Sequence, residues 1–340
     1  MRTRAILVAM IAALAGLLAV GATIEEGPNP FIVLGLVNGA LYGLMALGLV
    51  LVYKGARVFN FMHGELGTLA AYLLVFAVDD RQFAAGLGLP YGVGIVFAVV
   101  ATVMVGLFLE RIVIRPLLDA PRITVLVSTI AMALALIGIE IAVFSTDPRT
   151  MPAVIEAVDA QGNPRGMVVA AVQVSPQQLI AVGVLLLVAA LLAYFFSRTD
   201  LGLAVLATSQ DSFATRVVGV GVQRMSMFIW GSAAFLAAVA AILYVPTTGS
   251  LQPAVMTTNI LIPAFTGAVI GGMTSLPGAF AGGATVGVVQ TVAQWAANHF
   301  TLADGRSYSE VVPGSEQIVL FLVLLVILLV RPRGLLGREA

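Results

Sequence analysis

The chain has 340 residues, of which 60% are apolar and 10% charged. Its mean hydropathy is +1.05, which excludes an ordinary soluble domain. The formal net charge is zero, there is no cysteine, and His63 and His299 are the two histidines. Disulfides, thiol nucleophiles, thiolate metal sites and histidine metal clusters are therefore excluded. Lys54 is the single lysine and no Gly-x-x-x-x-Gly-Lys-Ser/Thr run occurs, so the chain lacks the usual loop for ATP hydrolysis. These features describe a polytopic, all-α membrane protein.

A helix that crosses a bilayer needs about 20 largely apolar residues. That rule predicts about ten spans, near 5–22, 31–53, 64–78, 91–109, 123–144, 178–196, 226–245, 259–273, 278–298 and 316–330. Met1–Ala22 also has the form of a signal peptide, with Arg2 and Arg4 before an apolar core and Gly21-Ala22 after it. A retained first helix makes the span count even, and the even count agrees with the charges. With the N-terminus in the cytoplasm, the inner side collects Arg2, Arg4, Lys54, Arg57, Arg111, Arg115, Arg122, Arg198, Arg216, Arg224, Arg331, Arg333 and Arg338. The outer side keeps Arg81, Arg149, Arg165 and Arg306. That bias places both termini in the cytoplasm. The whole chain, 1–340, then reads as one transmembrane domain, with an outer loop at 145–177 and a cytoplasmic loop at 197–225.

In chain order, the second span carries Gly35, Gly39 and Gly43 four residues apart. Small residues at that spacing let helix backbones meet closely where lipid offers no hydrophobic drive. Asn38 and Tyr42 lie one turn apart on the same span, and polar side chains within a bilayer face a pathway or another helix. The next junction reads Phe59-Asn60-Phe61-Met62-His63-Gly64-Glu65. His63 and Glu65 could form an acid–base pair, but no nucleophile or metal ligand accompanies them. Asn60, His63 and Glu65 are instead expected to satisfy helix ends, with Glu65 in a first turn that suits its charge. Glu140, in the outer third of the fifth span, is the one charge that reads as intramembrane. Its alternatives are a pathway residue or a helix-end residue reaching the interface.

The outer loop Ser145–Pro176 is long enough for structure. Ala153–Val158 and Met167–Val174 flank the turn-rich Gln161–Arg165 and are expected to close a small hairpin. On the cytoplasmic side, Ser197–Met225 is the longest polar run between spans. Asp211 or Ser212 can cap a short helix there, and Gly219 and Gly221 can end it. Leu206, Phe213, Val217 and Val220 recur at helical spacing and predict one apolar face. Such a helix either lies on lipid or fits a groove on a soluble partner. Further on, Gly267–Gly271, Gly278–Gly282 and Gly283–Gly287 repeat the four-residue spacing. Pro263 and Pro277 suggest broken or re-entrant helices, which are tolerated only when buried or lining a cavity. Gln290, Gln294 and Trp295 are polar or amphipathic groups near the outer end of the ninth span. The glycine-rich hairpins around 35–78 and 260–298 read as possible halves of an internal repeat.

Several of these segments together resemble a known family. The run from Val37 to Leu73 with its Asn38-Gly39 pair and Asn60-Phe-Met-His63-Gly64-Glu65 is similar to the amino-terminal signature of permease subunits of branched-chain amino acid ABC importers. Ser128-Thr-Ile-Ala131, Gly271-Gly-Met-Thr-Ser-Leu-Pro-Gly278 and Arg331-Pro-Arg-Gly-Leu-Leu-Gly337 agree. The likeness runs from about Val37 to Gly337, and Glu65 resembles the LivH type of the two paired permeases. It implies that Ala207, Thr208, Ser209, Gln210, Asp211, Phe213, Ala214, Gly219 and Val220 dock the ATPase. The family spaces its second alanine so that it would fall at Thr215, where this chain has Ala214 beside it. The resemblance also implies a homologous second permease, two cytoplasmic ATPases that carry ATP and Mg, an extracytoplasmic solute-binding protein, and residence in a bacterial inner membrane. No cofactor is expected on this chain. Asn38, Gly39, Tyr42, Gly43, Asn60, His63, Gly64, Glu65, Glu140 and Gln290 are its candidate pathway and packing residues. Glu140 departs from relatives that place amides late in the fifth span. Urea or short-chain amides are the alternative cargo. An ion-coupled secondary transporter would need more mid-membrane ionisable groups than Glu140.

Overall fold

A computed structural model describes residues 29–79, 82, 86–156, 165–169, 172–210, 212–217, 219–300, 306–330 and 334. The predicted span 5–22, Asp211 and the tail motif other than Gly334 lie outside the described residues. Among those described, six helices are long and apolar enough to cross a membrane, and three shorter apolar helices accompany them. The all-α polytopic reading holds.

The bundle has an inner and an outer layer. Helix α1 (Asn29–Ala56) is the central element, with every residue from 39 to 52 buried. Around it pack α2 (Met62–Val78) and, much later in the chain, three further helices. These are α8 (Val222–Thr248), α9 (Ile262–Gly271) and α10 (Leu276–His299). Outside them lie α3 (Tyr91–Leu109) and α4 (Arg122–Phe144), while α5 (Pro176–Arg198) packs directly on α1 with Leu185 against Gly43. Between α5 and α8 come α6 (Asp200–Gln210) and α7 (Ser212–Val217). The chain ends in a single turn, α11 (Tyr308–Val311), and α12 (Ser315–Val330).

Hydrophobicity alone cannot orient a helix whose every face is apolar, so side-chain size does it. On α3 the buried residues are Gly94, Ala98, Thr102 and Gly106, one small residue per turn. Val93, Val96, Val100, Met104 and Phe108 are more than half exposed on the model surface, the face that lipid covers. Helix α4 repeats the scheme with Val125, Thr129, Leu136, Glu140 and Phe144 turned inward and Ile123, Val127 and Leu134 outward.

A close backbone approach joins α1 to α10. A Cβ added to Gly39 would lie 2.7 Å from Ala284 Cα and 2.8 Å from Gly283 O; one on Gly35 would lie 2.6 Å from Val288 Cα. Gly283 in turn faces the Gly43 backbone, and Thr291 Oγ1 donates to Phe31 O at 2.7 Å. The α9–α10 hairpin is closed the same way, with Gly267 against Gly283 and Gly271 against Gly278. The glycine spacing thus marks true helix contacts.

Proline effects are absorbed rather than breaking the spans. Residues Thr257–Leu261 form a π turn running directly into α9, and Pro263 sits in the first turn of α9. Pro263 has no N–H for the carbonyl four residues back, and the wider turn accommodates that loss. The expected break at Pro263 is therefore not found. A π turn at Glu110–Ile114 precedes Pro116 in the same manner.

The outer loop differs from expectation. Its hairpin is β1 (Met167–Val169) with β2 (Val172–Val174), paired Met167 to Val174. Residues 153–156 are not strand, so Met167–Val174 folds on itself instead of pairing with Ala153–Val158. A two-residue connection costs less chain entropy than closing across Gln161–Arg165. Val154 N–H donates to Gln177, whose amide also donates to Ile242 O and Leu243 O, tying this loop to α8.

Candidate functional site

The first candidate region is a polar layer buried among α2, α4 and residues 250–261. Glu65 of α2 and Glu140 of α4 are both 0% exposed. The inward stripe of α4 carries Glu140 into the bundle, so it is not a helix-end residue reaching the interface. The two carboxyl groups lie near enough to interact, and the hydroxyls of Thr68 and Thr257 also lie beside Glu65. No N–H or hydroxyl among the described residues donates to Glu65 at ordinary length. Glu140 Oε2 accepts from Ala254 N–H at 3.5 Å, and Thr68 Oγ1 accepts from Met256 N–H at 3.2 Å. Gly64 is needed here because Thr257 occupies the space a side chain would take.

Asn60 and His63 do not cap the helix, contrary to expectation. Both are buried; the Asn60 amide has no hydrogen-bond partner, and the His63 ring lies beside the Met45 backbone of α1. Phe61 holds the N-cap position in helical conformation without a side-chain bond, which leaves Asn60 one residue too early to cap. Instead Thr129 Oγ1 accepts from Phe61 N–H at 3.3 Å. The His63 ring fills the groove over Gly48 of α1. Asn38 and Gln290 are half-buried, and Tyr42 is buried beside Tyr244 of α8.

The second candidate region is the segment 197–225, whose described helical stretches α6 and α7 lie on either side of Asp211. Gly219 supports the expected end with φ +88°. The predicted apolar face is not uniformly buried: Val205 and Thr215 are buried while Val217 is 72% exposed. Ala207, Gln210, Ala214 and Gly219 are exposed, and Thr208 and Val220 are half-buried. The backbones of Ser209 and Phe213 lie in α6 and α7. Arg216 of α7 pairs with Asp119 in the α3–α4 connection at 2.6 Å. Thr208 and Gln210 line a cavity of about 210 Å³ with Gly55, Arg57, Leu117 and Arg122.

Sequence reasoning missed a third feature just above this segment. Glu110 is fully buried, bonded to Arg115 at 3.1 Å and accepting from Ser226 Oγ at 2.7 Å. It fastens the end of α3 to the start of α8. The available signal was an acid placed directly after an apolar span, with Arg111 and Arg115 one and five residues on. Thr68, Tyr72 and Thr257 were also missed, since single hydroxyls in a span carry no pattern of their own.

This geometry defines a class: a multi-pass helical membrane protein with a buried polar layer and a pair of short helices packed at one end of the bundle. A model of the branched-chain amino acid transport system permease component family matches residues 31–330, and the chain belongs to that family. The high-affinity branched-chain amino acid transport system permease protein BraD of Pseudomonas aeruginosa is 31% identical over 310 residues. That alignment covers 89% of this chain and 94% of BraD. LivH of Escherichia coli K12, described in the same terms, is 26% identical over 307 residues, covering 89% of this chain and 94% of LivH. A probable branched-chain amino acid transport permease protein LivH of Methanocaldococcus jannaschii is 24% identical over 310 residues, covering 89% and 90%.

Proposed function

We propose that this chain is the membrane-spanning permease subunit of an ATP-driven importer of branched-chain or similar hydrophobic amino acids and forms half of its translocation pathway. The observation that carries this reading is the family match over residues 31–330. The exposed α6–α7 segment supports it, anchored through Arg216 to the α3–α4 connection, as a lever between soluble partners and the bundle. About ten spans with both termini in the cytoplasm, in a bacterial inner membrane, complete the topology. The partners are a second homologous permease, two cytoplasmic ATPases that bind ATP and Mg, and an extracytoplasmic solute-binding protein. Nucleotide-driven closure of the ATPases moves 197–225 and rocks the helices between inward- and outward-facing states. The subunit itself carries no catalytic group.

The test is uptake of labelled leucine into proteoliposomes that hold this chain with its ATPases, second permease and binding protein. ATP-dependent uptake is expected, and uptake of urea or an amide without leucine uptake would replace the cargo. Asp211→Arg should leave the permease inserted but release the ATPases on purification and abolish substrate-stimulated ATP hydrolysis, because a reversed charge in a protein contact typically costs several kcal/mol. Retained association with full stimulation would make 197–225 a lipid-lying connector.

A further inference from the structure

We propose that Glu65 and Glu140 form a two-carboxyl site that holds one proton between them inside the bundle, and that this proton keeps residues 251–261 seated against α2 and α4. Both acids are fully buried, on different helices, with their carboxyl groups in mutual range. Two adjacent carboxylates away from water cannot both stay ionised, since each loses hydration and repels the other. An ion pair does not relieve them. Among the described residues the salt bridges are Arg115–Glu110 and Arg216–Asp119, both remote from this layer.

The surrounding donors suit one negative charge. Ala254 N–H points to Glu140, while the Met256 N–H is already taken by Thr68. The Tyr72 hydroxyl is an independent sign that the site has an occupant. It is fully buried on α2 with no hydrogen-bond partner, and its charged neighbours are Glu140 and Arg149. Its ring is fixed by stacking on Phe144, one turn beyond Glu140, with centroids 4.6 Å apart. Arg149 is engaged elsewhere, donating to Phe144 O at 3.1 Å and to Gln82 O. His63, two residues before Glu65, is turned to Gly48 of α1. From residues 250–261 the Thr257 hydroxyl and the Ala254 N–H face the pair. A divalent metal is not the occupant this geometry favours, because no group of three His, Asp or Glu side chains occurs among the described residues.

One proton from a hydronium ion forms an O–H bond on one carboxyl as an O–H bond of the hydronium breaks and water is released, and the new O–H is donated to the other carboxylate; release is the reverse. The resulting single negative charge meets the Ala254 N–H. Ala254 has φ +63°, a left-handed conformation that a non-glycine residue keeps only when its surroundings hold it. Pairing of Arg149 with Leu251 in both directions, at 3.0 and 2.7 Å, secures the segment on its other side. The carboxyl pair is thus one of the contacts that hold the approach to α9.

The test is infrared spectroscopy of the complete transporter in lipid vesicles, with isotope-labelled glutamate to mark side-chain carbonyls. A protonated-glutamate band is expected at neutral pH, unchanged when sodium is exchanged for potassium or choline, and lost in both Glu65→Gln and Glu140→Gln. Absence of the band, or its persistence in both variants, would overturn the proposal. A response to sodium or potassium in place of the band would assign the site to a metal cation and equally overturn it. Amide hydrogen exchange supplies the second readout. Exchange across residues 251–261 should accelerate in Glu140→Leu and remain near the native rate in Glu140→Gln, which keeps a hydrogen-bonding group of the same shape. Unchanged exchange in Glu140→Leu would refute the seating role.

Discussion

Gly39→Ala adds one methyl group at the point where α1 crosses α10. That methyl would lie 2.7 Å from Ala284 Cα and 2.8 Å from Gly283 O, against an ordinary separation of about 3.5–4.0 Å between carbon atoms. The obstacles are backbone atoms, which no rotamer change can move, so the two helices must part by about 1 Å. Gly35 and Gly43 make their own backbone approaches on the same face and would be pulled apart with it. Overfilling of a packed interior costs typically 1–3 kcal/mol, and a three-glycine seam places this variant at the upper end, about 3 kcal/mol. Gly138 is the matched control: it is helical and exposed, and nothing lies within 4 Å of an added Cβ. There Ala should be neutral or stabilise by up to about 1 kcal/mol through helix propensity. The assay is the thermal unfolding midpoint of the purified permease in detergent, followed by uptake in vesicles. A clear drop is expected for Gly39→Ala, a larger one for Gly39→Leu, and none for Gly138→Ala. Equal midpoints for Gly39→Ala and Gly138→Ala would refute the close-packed seam.

Glu110→Ala should strand the Arg115 guanidinium and the Ser226 hydroxyl at the α3–α8 junction, a loss of about 3 kcal/mol by analogy with broken buried pairs; an unchanged melting midpoint would show that the network contributes nothing. Arg216→Ala, by contrast, removes a largely exposed pair and should change stability by less than about 1 kcal/mol while lowering substrate-stimulated ATP hydrolysis by the partner ATPases; unaltered stimulation would remove the ion pair from the coupling route. A reporter active only outside the membrane should be active when fused in Ser145–Pro176 and silent at Gln210, and activity at Gln210 would reverse the orientation.

The sequence by itself determined the membrane class and most helix limits, because both depend on local quantities. A run of apolar residues as long as the bilayer is thick must become a helix to satisfy its own backbone. Thus the run predicted at 123–144 is the helix Arg122–Phe144, and that predicted at 278–298 is Leu276–His299. The glycine spacing also announced that some surface of α1 would meet another backbone. Which backbone was a tertiary decision. Gly39 faces Ala284 because two helices far apart in the chain cross there, and spacing within one helix carries no information about its partner. The same limit applies to Glu140. Residue type alone left its direction open between pathway and interface; the packing of α4 on α2 turned it inward with Val125, Thr129, Leu136 and Phe144 and brought it to Glu65. Asn60 and His63 were read from residue type as caps, but the phase at which α2 begins left both buried without that role. In the segment 197–225, Val217 of the predicted apolar face is exposed while Thr215 beside it is buried, because the neighbours that α7 meets are set by the fold and not by periodicity. Local hydrophobicity decides which segments enter the membrane; the geometry of their contacts decides which few polar groups share a site.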